Sequence, residues 1–335
     1  MTSDQTRRRF ISVVGAAGIT GLAGCSGGGD AGDEGSETEA AESTEADSGN
    51  ENTRLSWHAG GTGGTYFPLS NEFKTVVEDN TDFSLNVQST GASVENVGSL
   101  TDGSADFALI QNDIAFFAKN GTGIDAFDGN PIENLRGVAT LYPETITVVT
   151  LADSNISTLS DLSGKTINTG DLGSGTQVNA NQILEAVGIT EFTEQNAGFS
   201  QASEQLANGD IDAAFVVGGW PVGAIEDLAT TNDVQIVPIQ GENRKTVKGA
   251  ASWFADDTIP AGTYNGVDEA TETIAVQAMI ATRAGLDAGT VETVTAALFE
   301  NVDALTIKTE FISTGSAQDG MSIELHEGAT AFFEN

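Results

Sequence analysis

Three short runs of Gly, Ser and Thr offer most of the binding chemistry in this chain: Thr62-Gly63-Gly64-Thr65, Gly91-Ala92-Ser93 and Gly173-Ser174-Gly175-Thr176. Each follows or precedes a stretch with the apolar spacing of a strand or helix, so each is placed to present the open N–H groups of a helix start together with a hydroxyl. Such groups cradle carboxylate or phosphate oxygens without needing a cation. The same N–H groups also accept ordinary helix caps, and the spacing alone leaves cap and anion contact open. Gln111 and Asp113 follow the apolar run 106–110 at its carboxyl end, while Asn96 and Asn179 fall near the first turns of the helices that Ser93 and Thr176 would open. Tyr66 and Trp220 are candidate cleft walls, each an apolar body with one hydrogen-bonding tip. For Trp220 a core position beside a hinge is the competing reading. A bare Asp113 carboxylate would repel an anion, so it reads as the partner of a ligand amino group or of a neighbouring helix start.

Catalytic readings of the same chain are weaker. Gly198-Phe199-Ser200-Gln201-Ala202 resembles a nucleophile elbow without its final Gly, and His326 follows in hydrolase order, which leaves a serine hydrolase using Ser200 and His326 as a remote alternative. The Gly-rich run 170–176 has no Lys before Thr176, so a nucleotide phosphate loop is absent. His58 and His326 are the only histidines, and neither has the second-histidine spacing of a zinc helix. No metal and no cofactor is expected, and His326 reads as structural. Lys165, at the start of a strand, reads as a solvated surface lysine.

The elements that must hold these residues follow from apolar spacing. The stretch 54–60 reads as a strand running into a Gly-rich turn. Pro68 opens a helix with Leu69, Phe73, Val76 and Val77 on one face, and Phe83, Leu85 and Val87 alternate as a strand. Strand, Gly-rich turn and helix continue to alternate, which specifies α/β layers around parallel strands. One unit occurs twice: Leu100-x-x-Gly103-x-x-Asp106-x-Ala108-Leu109-Ile110 and Leu206-x-x-Gly209-x-x-Asp212-x-Ala214-Phe215-Val216. Chance likeness of common units is one account of this. Two similar lobes, with a ligand cleft at the carboxyl ends of their strands, is the other.

Charge and the amino terminus bound the setting. The chain has 49 Asp plus Glu against 13 Lys plus Arg, a formal charge of −36, which excludes a nucleic-acid surface. So large an excess destabilises a compact fold unless salt is molar, where the Debye length is about 3 Å. The composition resembles that of haloarchaeal proteins. Arg7-Arg8-Arg9 precede a short apolar run, 11–23, that ends Leu22-Ala23-Gly24-Cys25. This reads as a twin-arginine lipoprotein signal over 1–25, with Cys25, the only cysteine, as the lipid attachment point. Residues 26–53 carry nine acidic residues and no basic one, and read as a disordered linker. The protein is accordingly expected to be exported, monomeric and held to the outer face of the cytoplasmic membrane by lipid.

Seven further blocks in order carry a family resemblance: 62–69; 90–96 with Gly103, Asp106, Gln111 and Asp113; Asp161-Leu162 with Gly164-Lys165; 173–180; 209–215; 259–264; and 325–329. Together they resemble the TAXI family, the solute receptors of one branch of TRAP transporters. Glu327 stands where that family usually has Pro. The resemblance implies a type II periplasmic-binding-protein fold, with lobe I formed by 54–143 and 246–335 and lobe II by 144–245. It places the hinge in two crossing strands, near 142–150 and near 240–250. It also implies a small organic anion as ligand, glutamate-like or a short dicarboxylate, delivered to a fused TRAP-type membrane permease. An ABC-type substrate-binding lipoprotein on the same fold is the alternative. The ligand contacts would come from Gly64, Thr65, Tyr66, Ser93, Asn96, Gln111, Asp113, Gly173, Ser174, Gly175, Thr176, Asn179 and Trp220, with no catalytic residue.

Overall fold

The computed structural model describes residues 53–334. The twin-arginine segment, the Cys25 box and all of the acidic linker except Thr53 lie outside them. The first half alternates as expected: β1 (Thr53–His58), α1 (Tyr66–Asn80), β2 (Phe83–Gln88), α2 (Ser93–Asp102), β3 (Phe107–Gln111) and α3 (Asn112–Asn120). A long strand, β4 (Leu135–Leu151), leads to β5 (Thr166–Asn168), α4 (Gly175–Ala186), β6 (Thr193–Gln195), α5 (Phe199–Asn208) and β7 (Ala213–Gly218). Then come α6 (Gly223–Thr231), β8 (Val234–Val237), α7 (Gly241–Ala250), β9 (Ala255–Ile259), a second long strand β10 (Thr271–Arg283), α8 (Ala288–Glu300) and α9 (Glu327–Glu334).

The strands form one continuous sheet in the order β2-β1-β3-β10-β4-β7-β5-β6, with β8 on β4 and β9 on β10. The outer strands are parallel to their neighbours, β2 and β3 to β1 on one side, β6 and β7 to β5 on the other. The central pair, β4 and β10, is antiparallel and 17 and 13 residues long. Their length lets each serve both halves. Residues 135–140 of β4 pair with the β10 segment that also pairs with β3, while 145–149 pair with β7. The result is two α/β lobes joined by two crossing strands, the type II arrangement that the resemblance implies.

Each lobe buries both faces of its sheet, and the side-chain period of a strand shows how. In β3, Phe107 and Leu109 join the core under α1 and α8, whereas Ala108 and Ile110 join the core under α2 and α3. In β7, Phe215 and Val217 face α4 and Ala214 and Val216 face α5 and α6. Trp57 anchors the first lobe: its ring stacks on Phe107 with centroids 5.5 Å apart, and its Nε1 donates to Ser70 Oγ at 2.9 Å. Burying such a side chain contributes about 2–3 kcal/mol and fixes the exit of β1 into the turn ahead of α1.

The repeated unit is the same in three dimensions. Gly103 and Gly209 both cap their helices in the left-handed region, at φ 82° and 75°. Asp106 N–H donates to Ser56 O at 2.9 Å, and its carboxylate accepts Ser56 N–H at 2.9 Å. Asp212 makes the same pair of bonds with Thr166, both at 2.8 Å. Each Asp thus ties the start of its own strand to the neighbouring parallel strand. Lys165, 4.0 Å from Asp212, stays half exposed at that end.

One expectation needs correction. Residues near 240–250 form α7, not a crossing strand. Val247 is the only buried residue of that helix, so the segment lacks the continuous apolar run that a strand buried on both faces requires. The second crossing strand is β10, whose run Ile274-Ala275-Val276 and Ala278-Met279-Ile280-Ala281 is buried throughout. The lobe boundary moves with it. Val247, Ala251 and Phe254 pack in one core with Ile146, Ile167 and Phe215, so this part of 246–335 belongs with the second lobe, and the chain returns to the first along β10.

Candidate functional site

All three Gly/Ser/Thr turns lie at carboxyl ends of parallel strands, and they open on one cavity of about 60 Å³ between the lobes. From the first lobe come Gly64, Thr65 and Tyr66 after β1, Ser93 after β2 and Gln111 at the end of β3. From the second come Ser174, Gly175 and Thr176 after β5. A space of this size admits only a few non-hydrogen atoms beyond those the walls already contact, which suits a small solute held by closed lobes.

Local chemistry sets each of these groups. Ser174 caps α4: its Oγ accepts Gln177 N–H at 3.1 Å and donates to Asp171 O at 2.7 Å. Its hydroxyl is therefore spent on the helix, whereas Thr176 makes no side-chain hydrogen bond among the described residues and sets its Cβ and Cγ2 against Gly170. Ser93 Oγ accepts the backbone N–H of Gln111 at 3.1 Å, tying the turn after β2 to the end of β3. Thr65 Oγ1 reaches across to Gly219 O at 3.2 Å. Gly175 leaves room for the Gln111 amide of the opposite lobe, because a Cβ there would fall on Gln111 Oε1 and push that side chain aside.

The cavity also contains a residue not expected from the sequence, Glu144. It sits in the middle of β4, is 2% exposed, and accepts a hydrogen bond from the Tyr66 hydroxyl. Burial pushes its carboxyl up to about 8; the Tyr66 bond works against that shift and nearby Asp113 adds to it. The Tyr66 and Tyr142 hydroxyls are raised as well, chiefly by burial and then by the adjacent Glu144. Phe199 and Asp171 complete the walls. The signal for Glu144 was one ionisable side chain inside the apolar stretch Leu141 to Val149; for Phe199 it was masked by the comparison with a nucleophile elbow.

Five expected contacts stand elsewhere. Asn96 is a scaffold residue: its Nδ2 donates to Ala59 O at 2.6 Å and Leu109 O at 2.8 Å, and its Oδ1 accepts from Thr90 Oγ1 at 2.7 Å. Its amide is fully engaged in joining the strand ends, so it does not face the cavity. Gly173 closes the lobes through its carbonyl, which accepts Val94 and Glu95 N–H at 3.1 and 3.2 Å. Those donors at the start of α2 are thereby taken by the protein itself. Asp113 and Asn179 meet each other across the interface behind the cavity, Asn179 Nδ2 donating to Asp113 Oδ2 at 2.8 Å. Burial raises Asp113 to about 6, with Asn179 opposing the shift. Asp113 Oδ1, Asn179 Oδ1 and Gln111 Oε1 are buried without a hydrogen-bond partner among the described residues. Trp220 packs at the edge of the core under α5 and α6, where Lys308 donates to its carbonyl and lies 4.7 Å from its ring centroid.

Ser200 and His326 are not brought together. Ser200 opens α5 against Gly63, while His326 pairs with Gly137 O through its backbone and accepts Gly328 N–H at 3.2 Å on the far side of the first lobe. Among the described residues no cluster of His, Cys, Asp or Glu could hold a metal ion, and no helix is long and apolar enough to cross a membrane.

The profile of the NMT1-like family matches residues 58–335. Among solved structures, a protein of Bordetella bronchiseptica RB50 is similar at 16% identity with a TM-score of 0.52, over 85% of this chain and 80% of that one. An ancestral arginine-binding protein bound to arginine is similar at 15% identity with a TM-score of 0.45, over 74% and 92%. The substrate-binding protein of an amino acid ABC transporter gives 15% and 0.44, over 73% and 91%.

Proposed function

The chain belongs to the NMT1-like family, and from that premise we propose that it is an extracytoplasmic solute receptor that closes its two lobes over a small organic anion. The observation that carries this reading is the convergence of three Gly/Ser/Thr turns, from both lobes, on one cavity whose lining holds no Lys, Arg or His. Anion affinity must then come from N–H and hydroxyl dipoles at short range. That suits a chain of charge −36, because molar salt screens the long-range repulsion of an anion while leaving contacts at hydrogen-bond distance intact.

The delivery partner is a TRAP-type fused permease, a proposal supported by the ordered TAXI-like blocks; an ABC permease is the alternative. Export by the twin-arginine signal and tethering through a lipid on Cys25 place the receptor at the outer face of the membrane, with the acidic linker as spacer. Mass spectrometry of small molecules released on denaturing receptor purified in molar salt tests the ligand class. A carboxylate near one equivalent per chain is expected. An uncharged solute such as a sugar would contradict the proposal.

A further inference from the structure

The cavity's own charges restrict the ligand beyond its being an anion. Its lining carries two carboxylates, Glu144 and Asp171, and no basic side chain. Lys308 comes up against Gly219 beside Tyr142, but its ammonium is engaged by the Trp220 carbonyl and ring. The groups that face Glu144 are Tyr66 on α1, Gln111 on β3, Asp113 on α3 and Tyr142 on its own strand, and none is a cation. A simple dicarboxylate therefore offers Glu144 no counter-charge, and the buried carboxyl must stay protonated beside it. A ligand with an ammonium next to its carboxylate supplies the counter-charge that the protein does not, so Glu144 can ionise against it. Its carboxylate can lie in the turns at Thr65, Ser93 and Thr176, and its ammonium can meet Glu144, whose carboxyl otherwise has only the Tyr66 hydroxyl and the Gln111 amide beside it.

We propose that Glu144 is the specificity-determining residue of the cleft and that it selects an α-amino acid over the corresponding simple dicarboxylate. The proposal rests on the receptor reading above. It gives Glu144 the task that Asp113, held by Asn179 behind the cavity, does not perform. Because burial holds the Glu144 carboxyl up to about 8, it is largely protonated at pH 7 in the ligand-free structure. Contact with an ammonium lowers it, so capture of an amino acid expels a proton, whereas a dicarboxylate requires the proton to stay.

Titration calorimetry in molar NaCl at pH 7, in two buffers of different ionisation enthalpy, separates these cases with L-glutamate and glutarate as probes. L-Glutamate is expected to bind about tenfold or more tightly than glutarate and to release a proton. Glu144→Gln, which keeps an acceptor for Tyr66, is expected to reduce L-glutamate affinity to the level of glutarate and to abolish the proton release. Glutarate binding as tightly as L-glutamate, proton uptake with L-glutamate, or a Glu144→Gln variant that keeps the preference would each overturn the assignment while leaving the anion receptor intact. Binding of neither probe, repeated with L-alanine and propionate, would overturn the receptor reading along with it.

Discussion

Asn96 and Gln111 are both buried amides on elements that frame the cleft, yet they are used in opposite ways. Asn96 engages both of its N–H groups and its oxygen with the protein, stitching the ends of β1 and β3 to the turn before α2. Gln111 lines the cavity and leaves its Oε1 without a hydrogen-bond partner, as do Asp113 Oδ1 and Asn179 Oδ1 just behind it. Native folds leave few buried polar atoms unpaired, because each costs about 1–3 kcal/mol. The contrast separates polar residues that hold the fold from those that stability alone does not explain, and three of the latter, Gln111, Asp113 and Asn179, meet at the lobe interface.

Substituting Asn96 should give the largest effect on stability. Asn96→Ala deletes three hydrogen bonds, two of them buried, and leaves the Ala59 carbonyl with only the longer bond from Thr90 Oγ1 at 3.3 Å, so unfolding free energy should fall by about 2–4 kcal/mol in a denaturant titration. A loss below about 1 kcal/mol would dissolve the distinction between the two amides.

Asp113→Asn should act in the other direction and by less. The raised carboxyl of Asp113, about 6 against a model-peptide value near 4, means that the folded chain keeps a proton that the unfolded chain has lost between roughly pH 4 and 6. Stability from this group is therefore lost as pH rises through that window. The Asn side chain retains an acceptor for Asn179 and carries no ionisation cost, so at pH 7.5 the variant should be about 1–2 kcal/mol more stable than wild type. The two proteins should converge below pH 4. Thermal unfolding at a series of pH values reads both parts, and a destabilised variant at pH 7.5 would show that the ionised carboxylate is needed by the fold.

The parts legible in the sequence were those with a local cause. Gly103 and Gly209 end helices because the left-handed cap needs no Cβ, and the Asp that follows each locks a strand; both features repeat within one short motif. The turns at Thr65, Ser93 and Thr176 were legible because a strand, a small-residue turn and a helix occur in immediate succession. What escaped was set by pairing between distant residues. Nothing local distinguishes Asn96, spent on Ala59 and Leu109, from Gln111, open to the cavity. Residues 240–250 read as a crossing strand although Val247 is their one buried residue, and the true strand β10 lies some thirty residues further on. Glu144 was passed over because its strand was read as a hinge, yet a hinge strand in a two-lobed receptor also floors the cleft.

The central claim is that the cleft holds a carboxylate through groups the protein leaves unpaired, and Thr176 offers the cleanest test. Its side chain makes no hydrogen bond among the described residues and borders the cavity, so Thr176→Val removes a donor while preserving shape and the packing on Gly170. Calorimetric titration of wild type and variant in molar NaCl, with L-glutamate as probe, should show a loss of about 1.5–3 kcal/mol in binding free energy, the usual contribution of a hydrogen bond to a charged group. The melting temperature of the ligand-free protein should stay unchanged. Undiminished affinity for L-glutamate in Thr176→Val would contradict the account.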